Sequence, residues 1–271
     1  MLLTKKDYRR MIRRIIITSF AYFLLGCSCI FAGVILSSVE VDATFLYLLG
    51  VISFLFIPIF VLLGRYAEGK GKLINLGNKL VRQELVPMEF IEQYEALRNS
   101  PDLYVNKPSI EVLELVAVAY DSLDEREKCL AAVEEMISVA GEKKKTLAEI
   151  IKTSFLFSYG RTEDAESLFN KLRERKMSAV CVYYKDSVFN SDRAMAMGDY
   201  KTVENHCLKM LGQKFPKLDN LGRLIINYKL GEVYEKLMDN EKATLHYTYC
   251  VDFGGETAIK NSAKLALERI R

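Results

Sequence analysis

The side chains that most often do chemistry are few in this chain and stand apart from one another. Of its 271 residues only two are histidine, His206 and His246, and no zinc-ligand spacing occurs. Residues 68–72 (Glu-Gly-Lys-Gly-Lys) lack the loop length and the following Ser or Thr of a phosphate-binding loop. The sequence therefore predicts no catalytic residues, no metal, no cofactor and no enzyme. A deep polar pocket with converging titratable groups would instead favour an enzyme.

The six cysteines are also scattered. Cys27 and Cys29 fall within an apolar run near the N-terminus. The other four form no C-x-x-C pair: Cys129, Cys181, Cys207 and Cys250. This pattern is typical of reduced, buried thiols rather than of a disulfide framework, so it favours a cytoplasmic location for the C-terminal part.

Hydrophobic and charged residues are segregated along the chain. Half of the residues are hydrophobic and 27% are charged, which excludes a disordered chain. Residues 1–65 contain seven Lys or Arg and three Asp or Glu, whereas residues 66–271 contain 31 and 32. Because phosphate neutralisation supplies most of the affinity for nucleic acid, the balanced C-terminal part is a poor candidate for that partner.

Two uncharged apolar segments predict a transmembrane helical hairpin. Residues 15–37 and 43–64 are each long enough, at 1.5 Å per residue, to cross a hydrocarbon core of about 30 Å. Only five residues separate them, so the two helices must run antiparallel. Lys and Arg flank the outer ends, while the turn holds only Glu40 and Asp42. The positive-inside rule then places both termini in the cytoplasm, at a plasma or inner membrane.

Small residues recur along both predicted spans, where they would let helices approach closely in lipid. They are Gly26, Cys29 and Gly33 on the first span and Gly50 and Ser53 on the second. Ordinary span composition would also explain them. Residues 24–27 (Leu-Leu-Gly-Cys) further resemble a lipoprotein cleavage box with Cys27 as the lipidated residue. The apolar run continues beyond that cysteine, so we interpret it as part of a span.

From Pro108 onward, one helix-pair pattern recurs with a long period. The small residues that mark the second helix of each pair are separated by 36, 38 and 40 residues: Cys129, Ala165, Val203 and Ala243. In the fourth unit, Gly231, Tyr234 and Tyr247 complete the pattern. The pattern resembles the tetratricopeptide repeat (TPR) family, whose unit is two antiparallel helices of about 34 residues together. The resemblance covers residues 108–255, and its third unit departs most.

The resemblance implies an all-α fold with three regions. Residues 1–65 would form the basic N-terminus and the membrane hairpin, residues 66–107 connecting helices, and residues 108–271 a TPR-like α-solenoid. The solenoid would contain about four helix pairs and a capping helix at residues 257–271. Its units must stack, because none can bury its apolar face alone. The first connecting helix, the amphipathic segment 66–86, would either lie on the membrane surface or pack on the domain, and we expect only its first turns to contact lipid.

The resemblance also implies a concave groove, lined by the first helix of each unit. The family's groove positions fall on Ile150, Ser154 and Phe157, on Lys185, Val188 and Asp192, and on Tyr228, Glu232 and Glu235. This apolar and partly acidic groove would suit a helix or extended segment of basic character. Alternatively, Ile150 and Phe157 only pack against neighbouring helices.

These features together predict a membrane-anchored interaction scaffold. The hairpin and its flanking basic residues would contact the lipid bilayer, and the cytoplasmic TPR-like domain would recruit a protein or peptide partner. The alternative is a structural subunit of a larger membrane complex, assembled as a homo- or hetero-oligomer partly through its transmembrane helices.

Overall fold

Every regular element of the described chain is a helix, which confirms the all-α prediction. The computed structural model describes residues 5–38, 44–52, 71–99, 108–173, 175, 190–213 and 218–270. Contacts divide the chain into two compact units, Met1–Lys72 and Leu73–Arg271. Residues 73–99, which the sequence assigns to connecting helices, therefore belong to the second unit.

The first unit contains a long apolar helix, α1 (Lys5–Ser37). Its segment Ile16–Ser37, with a mean hydropathy of 2.1, is by length and composition the one described helix that could cross a membrane. Large apolar side chains point outward from it, since Phe20 is 59% and Phe31 is 68% exposed. Residues 44–52 of the second predicted span are helical, and residues 53–64 lie outside the described residues.

The two helical stretches of the first unit meet at glycines. A Cβ atom on Gly50 would lie 2.6 Å from Ile30 Cγ1 and 3.2 Å from the Gly26 carbonyl oxygen. A Cβ atom on Gly33 would lie 3.3 Å from the ring of Tyr47. These glycines therefore permit close packing within the chain. Of the other two small residues in the prediction, Cys29 is half-buried and Ser53 lies outside the described part of the chain.

The second unit begins with helical residues 73–77 and a π-helical turn, Asn78–Gln83. Its later helices are α2 (Pro87–Arg98), α3 (Ile110–Ser122), α4 (Arg126–Val139), α5 (Glu142–Ser158), α6 (Thr162–Arg173), α7 (Asn190–Ala196), α8 (Tyr200–Gly212), α9 (Asn220–Lys236), α10 (Asn240–Phe253) and α11 (Ala258–Ile270). Helices α3 and α4, α5 and α6, α7 and α8, and α9 and α10 pack against each other as pairs, and α11 packs on α10.

One turn conformation recurs in all four pairs. The residue at its centre has a φ between 59° and 75°: Asp124, Gly160, Gly198 and Met238. In each turn the next residue donates its N–H to the carbonyl oxygen five residues earlier, as Glu125 does to Tyr120, which closes the preceding helix. The central residues are 36, 38 and 40 residues apart, like the predicted second-helix markers. The third pair, whose sequence departs most, therefore keeps the same register.

The predicted markers lie at the points of closest packing. Cys129, Ala165, Val203 and Ala243 are completely buried. In the fourth pair a Cβ atom on Gly231 would lie 2.6 Å from the ring of Tyr247, so only glycine allows α10 to approach α9 there. The helix pairs thus share their packing chemistry as well as their turns.

Residues 73–86, here called the strap, pack on helices from the early and the late part of the second unit. The strap contacts α2, α3 and α9, and its Leu80 and Val81 are 3% and 0% exposed. Gly77 lies so close to α3 that a Cβ atom would be 2.8 Å from Leu115. Residues 73–86 thus pack on the domain, and residues 66–70, the first turns of the expected connecting helix, lie outside the described residues.

Hydrogen bonds fasten the C-terminal end of the strap. Asn220 Nδ2 donates to the carbonyl oxygen of Gln83 at 2.7 Å, and Glu256 N donates to that of Leu85 at 2.9 Å. The strap therefore links the start of α9 and the loop before α11 to the beginning of the unit.

Candidate binding cavity

A cavity of about 210 Å³ lies between the strap and the first helices of three pairs, α3, α5 and α9. Most of its wall is apolar, formed by Val118, Ile150, Ile151, Phe155, Leu221 and Ile225. Five polar or charged side chains also line it: Arg82, Glu114, Asp121, Ser154 and Asp219. Four of these five side chains are titratable, in a recess whose wall is mainly apolar.

Arg82 of the strap joins two helices at the cavity. Its guanidinium donates through Nη2 to Glu114 on α3 at 3.1 Å and through Nη1 to Asp219 before α9 at 3.2 Å. Asp219 also caps α9 by accepting from the backbone N–H of Gly222 at 2.6 Å. The arginine therefore holds one wall of the cavity in place.

Asp121 presents a carboxyl group to the cavity. The Tyr159 hydroxyl donates to its Oδ1 at 2.7 Å, and no other hydrogen bond reaches this carboxyl from the residues that the structure describes. Burial raises the pKa of Asp121 to about 6. The carboxyl is therefore still mainly ionised at neutral pH.

A buried charge pair lies behind Ser154. The Ser154 hydroxyl and the Lys229 ammonium both donate to the carboxylate of Asp192, which connects α5, α9 and α7. The side chain of Asp192 is 5% exposed and that of Lys229 is 19% exposed. Burial acts to lower the pKa of Lys229, but Asp192 outweighs it and holds that pKa above its usual value. A protonated lysine cannot act as a base, and the carboxylate that accepts the hydrogen bond of Ser154 is itself paired with that lysine.

The structure brings three of the predicted groove residues together. Ile150 and Ser154 line the cavity, and Asp192 binds Ser154 from behind. Phe157 is buried, at 3% exposed, in a cluster with residues of α4 and α6, and Ile150 belongs to the same cluster, as the packing alternative expects. Lys185 and Val188 lie outside the described residues.

The predicted groove residues of α9 lie away from the cavity. Glu235 accepts from Arg269 Nε at 2.7 Å and from the Tyr247 hydroxyl at 2.9 Å, so it joins α9 to α11 and α10. The ring centroid of Tyr228 lies 5.7 Å from that of Tyr247. Burial raises the pKa of Glu232 to about 7. The first turns of α9 contribute to the cavity instead, through Leu221 and Ile225.

The first unit also contributes to the cavity, through residues that the family's groove positions did not include but that the repeat itself indicates. Moving the three positions of α5 back by the 36-residue separation gives Glu114, Val118 and Asp121, and all three line the cavity. Arg82 carries no such signal, because the strap is not part of the repeat.

The remaining reactive residues do not gather into a site. The structure shows no group of His, Cys, Asp and Glu able to hold a metal ion within its described ranges. His246 Nδ1 lies 2.9 Å from Asn227 Oδ1, its ring stacks on Tyr234, and burial lowers its pKa. Cys129, Cys207 and Cys250 are free and buried.

The fold and the cavity thus define an all-helical protein with repeated helix pairs and a small recess on its first helices. No protein-family model matches the chain, and neither a curated protein nor a solved structure matches it. The resemblance to tetratricopeptide repeats therefore stays a prediction.

Proposed function

We propose that this protein is a membrane-anchored scaffold whose cytoplasmic, TPR-like solenoid recruits a protein partner. The observation that carries the proposal is the largely apolar cavity on the first helices of the pairs. Its volume, about 210 Å³, is below the roughly 300–1,000 Å³ of pockets that enclose small ligands. A recess of this size suits one side chain of a partner segment that lies across the helices.

The strap restricts how such a partner would bind. Arg82 stands at the cavity and its ion pairs join α3 to the start of α9, so the strap already covers part of this surface. A long helix in an open groove would require the strap to leave. A short segment that inserts one side chain would not, and we favour this mode.

The anchor in this proposal is the predicted two-helix hairpin, with both termini in the cytoplasm. Its support is the length, hydropathy and outward-facing side chains of Ile16–Ser37. The glycine contacts between α1 and residues 44–52 add to it, because small residues let helices approach closely in lipid.

Those same contacts weigh against the alternative, a subunit assembled through its spans. Gly26, Gly33 and Gly50 already contact residues of this chain. Another protein's span would therefore need a different face of α1, such as the one that presents Phe20 and Phe31.

Site-specific photo-crosslinking in intact membranes tests the recruitment proposal. We would place a photoreactive residue at Ile225, on the cavity wall, and at exposed Lys201 on α8 as the matched control. The expected result is a crosslinked protein from position 225 that is absent from position 201. Both variants must show the wild-type melting temperature. Equal crosslinking from the two positions, or none from position 225, would overturn the proposal.

A further inference from the structure

We propose that the cavity binds the ammonium group of a partner's lysine side chain, with its aliphatic stem against the apolar wall and Asp121 as its counter-ion. This inference rests on the proposed function and specifies the chemistry of the partner. It differs from general recruitment because it names one charge, one stem and one acceptor.

The charges around the cavity select a cation. Its lining carries three carboxyl groups, those of Glu114, Asp121 and Asp219, and one guanidinium, that of Arg82. Arg82 is already shared between Glu114 and Asp219, whereas the one hydrogen bond to the Asp121 carboxyl from a described group comes from the Tyr159 hydroxyl. The Lys229 ammonium acts on Asp121 through space, against the opposite effect of Asp192. The pair behind the wall, Asp192 and Lys229, adds no net charge. An anionic ligand would meet a net negative surface and would be excluded.

The available acceptor is placed to bind a buried donor. Asp121 lines the cavity, and Tyr159 occupies only its Oδ1. An ammonium group would supply the charge-assisted hydrogen bonds that this carboxylate lacks. Since burial already raises the pKa of Asp121, a bound cation would relieve the unfavourable burial of its charge.

The wall suits the stem of such a side chain. Val118, Ile150 and Ile225 are apolar, and they share the cavity with the Asp121 carboxyl. Lysine combines a flexible four-carbon stem with a compact charge at its end, so it can bury the stem while its ammonium reaches an acid.

The test uses the full chain in detergent micelles and isothermal titration with three probes of matched length. These are n-pentylammonium, 1-pentanol and pentanoate. We expect n-pentylammonium to bind at least tenfold more tightly than either of the others. In the Asp121→Asn variant, which keeps an acceptor for Tyr159, its affinity should fall at least tenfold. The matched control, Asp164→Asn, removes an exposed acid from α6 and should leave affinity unchanged.

A peptide arm distinguishes a partner's lysine from a free amine. A five-residue capped peptide, Ala-Leu-Lys-Leu-Ala, would be compared with the same peptide carrying norleucine in place of lysine. Binding that requires both the lysine and Asp121 supports the inference. Binding of n-pentylammonium but not of the peptide would overturn the assignment to a partner's side chain.

A second variant keeps the test informative if Asp121→Asn unfolds the domain. Val118→Phe should fill the cavity without changing its charge and should abolish binding of n-pentylammonium. Equal affinities for n-pentylammonium and 1-pentanol, or unchanged affinity in both variants, would overturn the inference. In that case a partner crosslinked at Ile225 would still support recruitment, so the two proposals fail separately.

Discussion

Replacing Lys229 by methionine should loosen the helices around Asp192. The substitution keeps the length and apolar stem of the side chain but leaves a buried carboxylate with Ser154 as its remaining donor. Removing one partner of a buried ion pair costs about 3–5 kcal/mol. Because 19% of the Lys229 side chain is exposed, we expect the lower end, about 3 kcal/mol.

The labelling rate of a native thiol, that of Cys207, reports this loss of stability. Cys207 on α8 is 1% exposed, so a thiol reagent reaches it only when the surrounding helices open. A loss of about 3 kcal/mol raises the open population, and with it the labelling rate, by about a hundredfold. Mass spectrometry of the alkylated protein assigns the rate to Cys207 among the cysteines of the chain.

Two further variants test whether the unpaired buried charge of Asp192 causes the faster labelling. Lys201→Met removes an exposed lysine, 74% accessible, from a pair with Glu204 and should change the rate by no more than about threefold. Adding Asp192→Asn to Lys229→Met should recover most of the stability, because no unpaired charge is then buried. Labelling of Lys229→Met within threefold of the wild type, or no recovery in the double variant, would refute this reasoning.

Three other substitutions probe packing, the strap and pH. Gly231→Val should destabilise the domain by at least about 2 kcal/mol, because its side chain would overlap the Tyr247 ring. In the control Gly212→Ala, the new Cβ atom meets no atom within 4 Å, so the chemical unfolding midpoint should not fall. Arg82→Gln should cost about 1–2 kcal/mol of unfolding free energy and speed proteolysis after residue 79, since the strap loses both ion pairs; an unchanged cleavage rate would contradict this. Because the pKa of Asp121 is raised, this carboxyl is protonated in the folded state and ionised in the unfolded state between about pH 4 and 6. Its contribution to the free energy of unfolding therefore falls as pH rises through that window. Asp121→Asn should remove that slope from the melting temperature measured between pH 4 and 7, and an unaltered slope would contradict it.

The local features of the repeat were predictable because each depends on residues close in the chain. A small residue on the second helix and a residue that tolerates positive φ in the turn fix the geometry of a pair, as Gly160 and Ala165 do. The third pair shows that the turn can be kept where most of the repeat pattern is lost. Its sequence departs from the family, yet Gly198 and the cap at Asp199 preserve the turn.

The strap could not be predicted, because its contacts join distant parts of the sequence. Arg82 and Asp219 are 137 residues apart, and no periodic pattern connects them. The strap also contains a π-helical turn, Asn78–Gln83, which has no simple sequence signature. The sequence indicated an amphipathic helix there but not the surface that buries it.

The candidate site was predictable only in part. The repeat period indicates which face of each helix points toward the groove, but not which residues along that face reach the cavity. On α5 the family's groove positions include Ile150 and Ser154, which line the cavity. On α9 they include Glu235, which Arg269 of the capping helix holds instead, while Ile225 lies at the cavity.

Binding of a cation in the cavity and docking of the strap would be linked, because the bound ammonium and the Arg82 guanidinium would be two positive charges on one cavity wall. Arg82 is paired with Glu114 and Asp219. An ammonium group bound to Asp121 would lie near this guanidinium in the same cavity, so each cation would weaken the binding of the other. By thermodynamic reciprocity, a ligand that weakens strap docking must bind more tightly to a chain whose strap is already loosened. Arg82→Gln should then raise the affinity for n-pentylammonium by a few-fold, since it removes the one positive charge from the cavity wall. A lower affinity in that variant would show that the arginine organises the site rather than competes for it.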